Sequence, residues 1–302
     1  KTYIGPFQDL LTLFQSENNM QCDTLNKVNL SPSKCSNAIN NMTLLRLQKY
    51  YKNTDVSDPS KLQLKQINAL LGKKPKSPAI SNNNSKMPGY VFSTSAHFCK
   101  TGSKLHGVKG SVCEKCYALK GNYKYTNVVN GLTLNSIGIA FYEAMQDYSV
   151  WTVALAELIR RRCIVKEIKD EDGNVIAIED NTWFRFHDSG DTQSVLHLKA
   201  INDICLLNPS VNFWLPTREG KFVKEFLKTN KVATNLCIRI SAHMVGKKAS
   251  DFGTGLPTST VSYNESDHKC IAPQQGGSCD GDLMNCRNCW DSSVQNVDYP
   301  QH

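Results

Sequence analysis

The sequence predicts an α/β protein: a largely parallel sheet with helices between its strands, preceded by a small helical region and followed by a cysteine-rich segment. Three observations carry this expectation. Beyond about residue 86, strand-like runs alternate with helical patterns, as repeated β-α units require. Over residues 1–85, apolar residues recur at helical spacing in a polar, basic stretch. Over residues 264–302, four cysteines fall among Gly, Asp, Asn and Gln, where little apolar material is present to pack them.

At 302 residues the chain is long enough to bury a substantial core without covalent staples. Its 40% apolar and 21% charged residues are an ordinary soluble balance, and no run approaches the ~20 apolar residues that a membrane helix needs. The start at Lys1 has no signal-like apolar stretch, so a cytoplasmic setting is expected, the host cytoplasm if the chain is phage-encoded. Twelve cysteines in a reducing compartment point to metal sites and buried thiols rather than disulfides. The net charge of +8 is uneven: residues 1–88 hold 12 Lys+Arg against 5 Asp+Glu, and the remainder is nearly balanced. A basic appendage of this kind suits nucleic acid, through Lys34, Arg46, Lys49, Lys52, Lys73, Lys74 and Lys76, or simply a solvated face.

In chain order, helices are expected around Leu10, Leu11, Leu13 and Phe14, and around Leu44, Leu45, Leu47, Ile67, Leu70 and Leu71. Ser31-Pro32-Ser33 offers a helix start between them. The Pro-, Lys- and Asn-rich stretch at 73–85 reads as a linker and marks the boundary to a body spanning 86–263. There, 89–94 predicts a first strand, 142–163 one long amphipathic helix, and 164–178 a hairpin around Asp172-Gly173-Asn174. A second strand at 183–186, a helix at 192–207, a third strand at 211–215, a short helix at 220–228 and a fourth strand at 236–241 follow. Cys205 and Cys237 fall on these elements as core. Three of the strands end in polar runs: HDSGD from His187 to Asp191, PTRE up to Glu219, and SAH from Ser241 to His243. Sites in parallel α/β folds gather at such carboxyl ends.

Seven cysteines carry the chemistry. Cys99, Cys113 and Cys116 form one group and Cys270, Cys279, Cys286 and Cys289 a second. In each, a pair two residues apart can reach one centre from a single turn. Three thiolates leave a metal position open for reaction, whereas four close it. Spacing alone leaves two choices open at the first group: a [4Fe-4S] cluster, or zinc completed by His97 or His106. For the second group the metal is equally undecided, but binding there would be folding free energy. Around them, His187 suits proton transfer near neutral pH and Asp191 suits a cationic amine, though Asp191 or Thr192 equally suits a helix cap. Arg218 and Glu219 suit either a substrate anion or, as the favoured expectation, a structural ion pair with each other.

The runs CEKCYALKGNYKY from Cys113, FRFHDSGD from Phe184, FWLPTRE from Phe213, NLCIRISAHMV from Asn235, and the ending with CIAPQQGGSC and CRNCW resemble a bacteriophage family, the gene-product-eighty-eight-like proteins, over about residues 87–302. More distantly, the order of cysteine triad, Gly-acid strand tip and Ser-bearing fourth strand resembles radical S-adenosylmethionine enzymes. That resemblance implies a partial β/α barrel, with Cys99, Cys113 and Cys116 on a [4Fe-4S] cluster whose open iron takes S-adenosylmethionine. It further implies Tyr117 beside the last cysteine, Gly190 and Asp191 at the cofactor's amino group, Ser241 near its ribose or carboxylate, and Arg239 as a neighbour. A second cluster on the four C-terminal cysteines, a reductant such as flavodoxin or ferredoxin, and an unspecified substrate complete the implication. Two features depart from that pattern: thirteen residues separate Cys99 from Cys113, and Asp191 stands where Glu is commoner. The competing expectation is a non-catalytic, zinc- or cluster-stabilised nucleic-acid-binding protein.

Overall fold

A computed structural model describes residues 37–81, 86–266 and 268–301. The expectations at Leu10, Leu11, Leu13, Phe14, Ser31-Pro32-Ser33 and Lys34 lie outside these residues. Helix α1 (Asn37–Asn53) and helix α2 (Leu64–Leu70) open the described chain. Their apolar positions Leu44, Leu47, Ile67 and Leu70 are buried in the same core as Phe92, Tyr142, Trp151 and Ile159. These helices therefore belong to the body rather than to an appendage. The stretch expected to be a linker is also tied down. Asn68 Nδ2 donates to Pro75 O (2.9 Å), and β1 (Ile80–Ser81) pairs antiparallel with β2 (Tyr90–Phe92).

The remaining strands are β5 (Trp183–Phe186), β6 (Asn212–Thr217), β7 (Leu236–Ser241), β8 (Thr258–Val261) and β9 (Asn296–Tyr299), with β3 (Val165–Lys169) and β4 (Val175–Asp180) forming a separate hairpin. The main sheet has the order β1-β2-β5-β6-β7-β8-β9. From β2 to β9 every neighbouring pair is parallel. Six parallel strands thus lie side by side in chain order. Because crossovers are right-handed, such an order winds helices onto one face, whereas a reversal of order would divide them between two. Among the described residues no pairing joins the two edges, so the sheet is open and not a closed barrel.

Period-2 alternation sorts the side chains. Phe184, Phe186, Phe213, Leu215, Leu236, Ile238 and Ile240 enter the core under the helices, while Trp214 enters a second cluster on the other face with Cys289, Trp290, Val294 and Val297. Burying each large apolar side chain is worth roughly 1.5–3 kcal/mol, so the first cluster dominates stability and the second fastens the C-terminal segment. That segment is not an independent unit, because β9 is the sixth parallel strand.

The helix expected over 142–163 is two helices, α4 (Thr126–Met145) and α5 (Ser149–Arg162), with the short α3 (Lys100–Leu105) before them. Gln146 adopts φ 52°, which ends α4, and Asp147 Oδ1 accepts from Ser149 N (2.8 Å) to restart the chain. Helix α6 (Val195–Leu207) is capped by Ser194 Oγ, which accepts from His197 N (2.9 Å), so the cap is neither Asp191 nor Thr192. Helix α7 (Gly220–Phe226) follows β6. Among the described residues no helix is long and apolar enough to cross a membrane.

Candidate functional site

The first cysteine group stands where the chain leaves β2. Ser95 caps a short turn over Ala96–Phe98, and Cys99 then opens α3. A returning loop brings Cys113 and Cys116 back to it. Three ties hold that loop on the strand tips: Val112 N donates to His243 O (2.9 Å), Val245 N to Gly110 O (2.9 Å), and Thr101 uses both N and Oγ1 on the Glu219 carboxylate (2.7 and 2.8 Å). Glu219 is therefore engaged by Thr101 rather than paired with Arg218. The thiols do converge. A Cβ built on Gly102 would stand 3.1 Å from Cys99 Cβ and 3.6 Å from both the Cys99 and Cys113 sulfurs, so the glycine leaves the space between them clear. Burial, then Asp191, Cys116 and Cys113, raise the Cys99 thiol, and the Arg218 guanidinium opposes them.

The second strand tip faces this group. Gly190 has φ 82°, and a Cβ there would lie 1.9 Å from Thr94 Oγ1, so only glycine lets the two tips touch. Asp191 is buried, and its carboxylate accepts from Thr217 Oγ1 (2.6 Å), Thr192 N (2.7 Å) and Arg218 N (2.9 Å). Burial pushes its carboxyl up to about 6, while the Thr217, Arg218 and Thr192 donors pull it down. Asp188 accepts from Ser93 Oγ and from Tyr123 OH (3.3 Å), and Tyr117 OH donates to the Asp188 carbonyl. Tyr117 thus spans from the last cysteine to the second tip.

Two expectations at the tips change. His187 is enclosed by the Phe92, Phe186 and His197 rings, with neither ring nitrogen bonded. Burial, then Arg185, hold its pKa down to about 3, so it is neutral near pH 7 and does not serve as the proton carrier expected there. Arg239 is fully buried. Its donors reach five backbone carbonyls, on Thr258, Asn288, Cys289, Asp291 and Val294, at 2.6–3.2 Å. That side chain holds the C-terminal loop and has no donor left for a cofactor. Ser241, at the end of β7, shares a hydrogen bond with Ser259 Oγ (3.1 Å).

Cys270, Cys279, Cys286 and Cys289 line one small cavity together with Ala272, Asn288 and Val297. All four are free thiols. Backbone bonds close the loop around them: Cys270 N to Asp298 O (2.7 Å), Cys279 N to Lys86 O (2.8 Å) and Cys286 N to Cys279 O (2.8 Å). Tyr299 OH lies 3.1 Å from the Cys289 sulfur. Burial raises the Cys279 thiol to about 11 and the Cys289 thiol to about 12. Among the described residues, however, no three His, Cys, Asp or Glu side chains are gathered about a single-ion position. The expected metal ligands share their two neighbourhoods without the tight spacing of one bound ion.

The basic surface is smaller than the sequence suggested. Lys73 is buried, with Nζ donating to Gly131 O (2.8 Å), and Arg46 reaches Gly72 O (3.2 Å). Lys49, Lys52, Lys74 and Lys76 remain exposed. Sequence reading passed over Ser93, Tyr123, Arg185 and Thr217. Arg185 was legible in principle, since a cation between Phe184 and Phe186 must face away from the core they enter.

A family model described as Gene product 88 matches residues 62–293, most of the chain. Its start takes in α2, which lies before the resemblance expected from residue 87. No curated protein and no solved structure matches, and no comparison extends to the radical S-adenosylmethionine enzymes.

Proposed function

We propose that this chain, which belongs to the gene product 88 family, is an iron-sulfur protein of the radical S-adenosylmethionine kind. Cys99, Cys113 and Cys116 would hold a [4Fe-4S] cluster with one open iron, and Cys270, Cys279, Cys286 and Cys289 a second, closed one. The observation that carries this reading is an order: the triad follows the first of six parallel strands, Gly190-Asp191 follows the second, and Ser241 ends the fourth. That is the sequence of parts that the superfamily's partial barrel uses.

The residues fit the group. A cluster distributes its thiolates over several irons, so it asks for a wider ring than one zinc ion does. Free thiols that converge on one another, with the space between Cys99 and Cys113 cleared at Gly102, support the wider ring. When bound, a reduced cluster supplies one electron for cleaving the sulfonium of S-adenosylmethionine, from which hydrogen abstraction follows. The chain's own residues orient and exclude water. Gly190 lets the second strand tip close onto Thr94 of the first, and Asp191, held by three donors, presents a carboxylate beside the triad for a cationic amine. His187 stays neutral and apolar in behaviour, and Tyr117 closes the side next to Cys116.

Anaerobic purification with iron and sulfide is expected to give a brown protein, and a strong reductant with S-adenosylmethionine should then release 5′-deoxyadenosine and methionine. C99A, C113A and C116A are expected to lose one cluster's iron and all of that release. A colourless protein carrying zinc, or a filled cluster that yields neither product, overturns the assignment.

A further inference from the structure

Between the two cysteine groups, on the face of the sheet opposite the main core, stands a guanidinium with unfilled hydrogen-bonding capacity. Arg185 alternates with Phe184 and Phe186, both fully buried under the helices, and so projects the other way. Its head lies 4.4 Å from the Trp214 ring centroid. Among the described residues, Nη1 meets only the Met87 thioether (3.0 Å), a weak acceptor, and Nη2 only His187 O (3.3 Å). Nε is buried with no hydrogen-bond partner among the described residues.

Among the described residues, Arg185 forms no ion pair within 4.0 Å. Asp188, which acts on it through space, already accepts from Ser93 and Tyr123. Tyr117 and Asp188 on the triad side, and Tyr299 and Cys289 on the other, all bear on the same guanidinium. A buried cation with an orphaned donor is costly unless a charged acceptor completes it. Tyr117, half exposed, lies close enough to bear on the same guanidinium. A planar fork on an aromatic shelf matches a carboxylate or phosphate in bidentate fashion.

We propose that Arg185, backed by Trp214, binds the anionic end of a small molecule, a carboxylate or a phosphate group, on the side of the sheet that carries both cysteine groups. That molecule being a substrate rests on the enzymatic reading above; the anion site itself does not. The test titrates the full chain with sodium phosphate and, separately, sodium acetate against sodium chloride of equal ionic strength, following tryptophan fluorescence and heat.

A saturable response beyond chloride is expected with one of the two anions, and which one responds names the class. R185M is expected to abolish it, R185K to weaken it at least tenfold by removing the fork, and K228M, an exposed cation elsewhere, to leave it intact. No response above chloride in the unaltered chain, or an equal response in folded R185K, overturns the site. Release of 5′-deoxyadenosine without an anion response removes this inference and spares the enzymatic reading, and the converse result does the reverse.

Discussion

At the scale of single residues, burial decides more of this protein than charge count does. Lys73 shows it. The side chain is 5% exposed, and burial lowers its pKa from 10.5 to about 8. The folded value lies below the unfolded one, so between about pH 8 and 10.5 the unfolded chain binds the extra proton and stability rises with pH. The penalty is present in full below pH 8. Denaturant melts should therefore show a gain over that window approaching about 3 kcal/mol, at 1.36 kcal/mol per unit. In K73M this contribution should vanish, leaving a constant offset from the lost Lys73–Gly131 hydrogen bond. Parallel pH profiles of the two proteins would contradict it. A lysine read from sequence as a phosphate contact thus serves as an internal tie, and nothing in its Lys-Lys-Pro context signals that. By contrast, the tips at Gly190, Asp191 and Glu219 were legible, since polar runs at the ends of apolar strands have few other places to go.

Elements were legible in proportion to how apolar and regular they are. Strands β5 and β7 match their expected bounds, and the hairpin around Asp172-Gly173-Asn174 is present as β3 and β4. Strands β8 and β9 went unseen because they are polar, and side-chain bonds join them: Thr260 Oγ1 donates to Asp298 Oδ1 (2.7 Å) in a buried rung, and Thr258 Oγ1 to Asn296 Oδ1 (2.9 Å) in a half-buried one. A period-2 hydrophobic pattern cannot report a strand that pairs through hydroxyls. The break between α4 and α5 was likewise hidden, since Gln146 takes a left-handed conformation without Gly or Pro. The hairpin offers a test at this scale. Every residue of β3 and β4 is exposed, and Val165 sits directly across from Asp180. Replacing 166–179 by Asn-Gly, whose two-residue turn joins facing positions, is expected to shift the unfolding free energy by less than about 1 kcal/mol. A thermal midpoint lowered by more than about 4 °C, the most that about 1 kcal/mol costs a chain of this size, would mean that the ribbon supports the body after all.

For the molecule as a whole, among the described residues, the body is built on one seven-stranded sheet, with the β3–β4 ribbon apart from it. The last strand of that sheet comes from the cysteine-rich C-terminal segment, which makes the segment structural. The family match ends at residue 293, before β9, so the strand that closes the row lies just beyond the part recognised by the family model. Read from composition, a chain cut at residue 263 should keep its body intact, because the cysteine-rich tail looks separable. The structure argues the opposite. The cut removes Trp290, Val294 and Val297, uncovers Trp214, strips five carbonyl acceptors down to Thr258 alone around the buried Arg239 guanidinium, and leaves β8 as a bare edge. Loss of a buried Trp alone costs about 3–5 kcal/mol, and an unpaired buried charge a similar about 3–5 kcal/mol. Against a total stability of about 5–15 kcal/mol, the truncated chain is expected to lose cooperative unfolding and to aggregate through the exposed edge. Circular dichroism melts of chains ending at 263 and at 301 decide the matter: a cooperative transition in the shorter chain, near that of the longer, would show that the tail and its four cysteines are an addition to a finished fold.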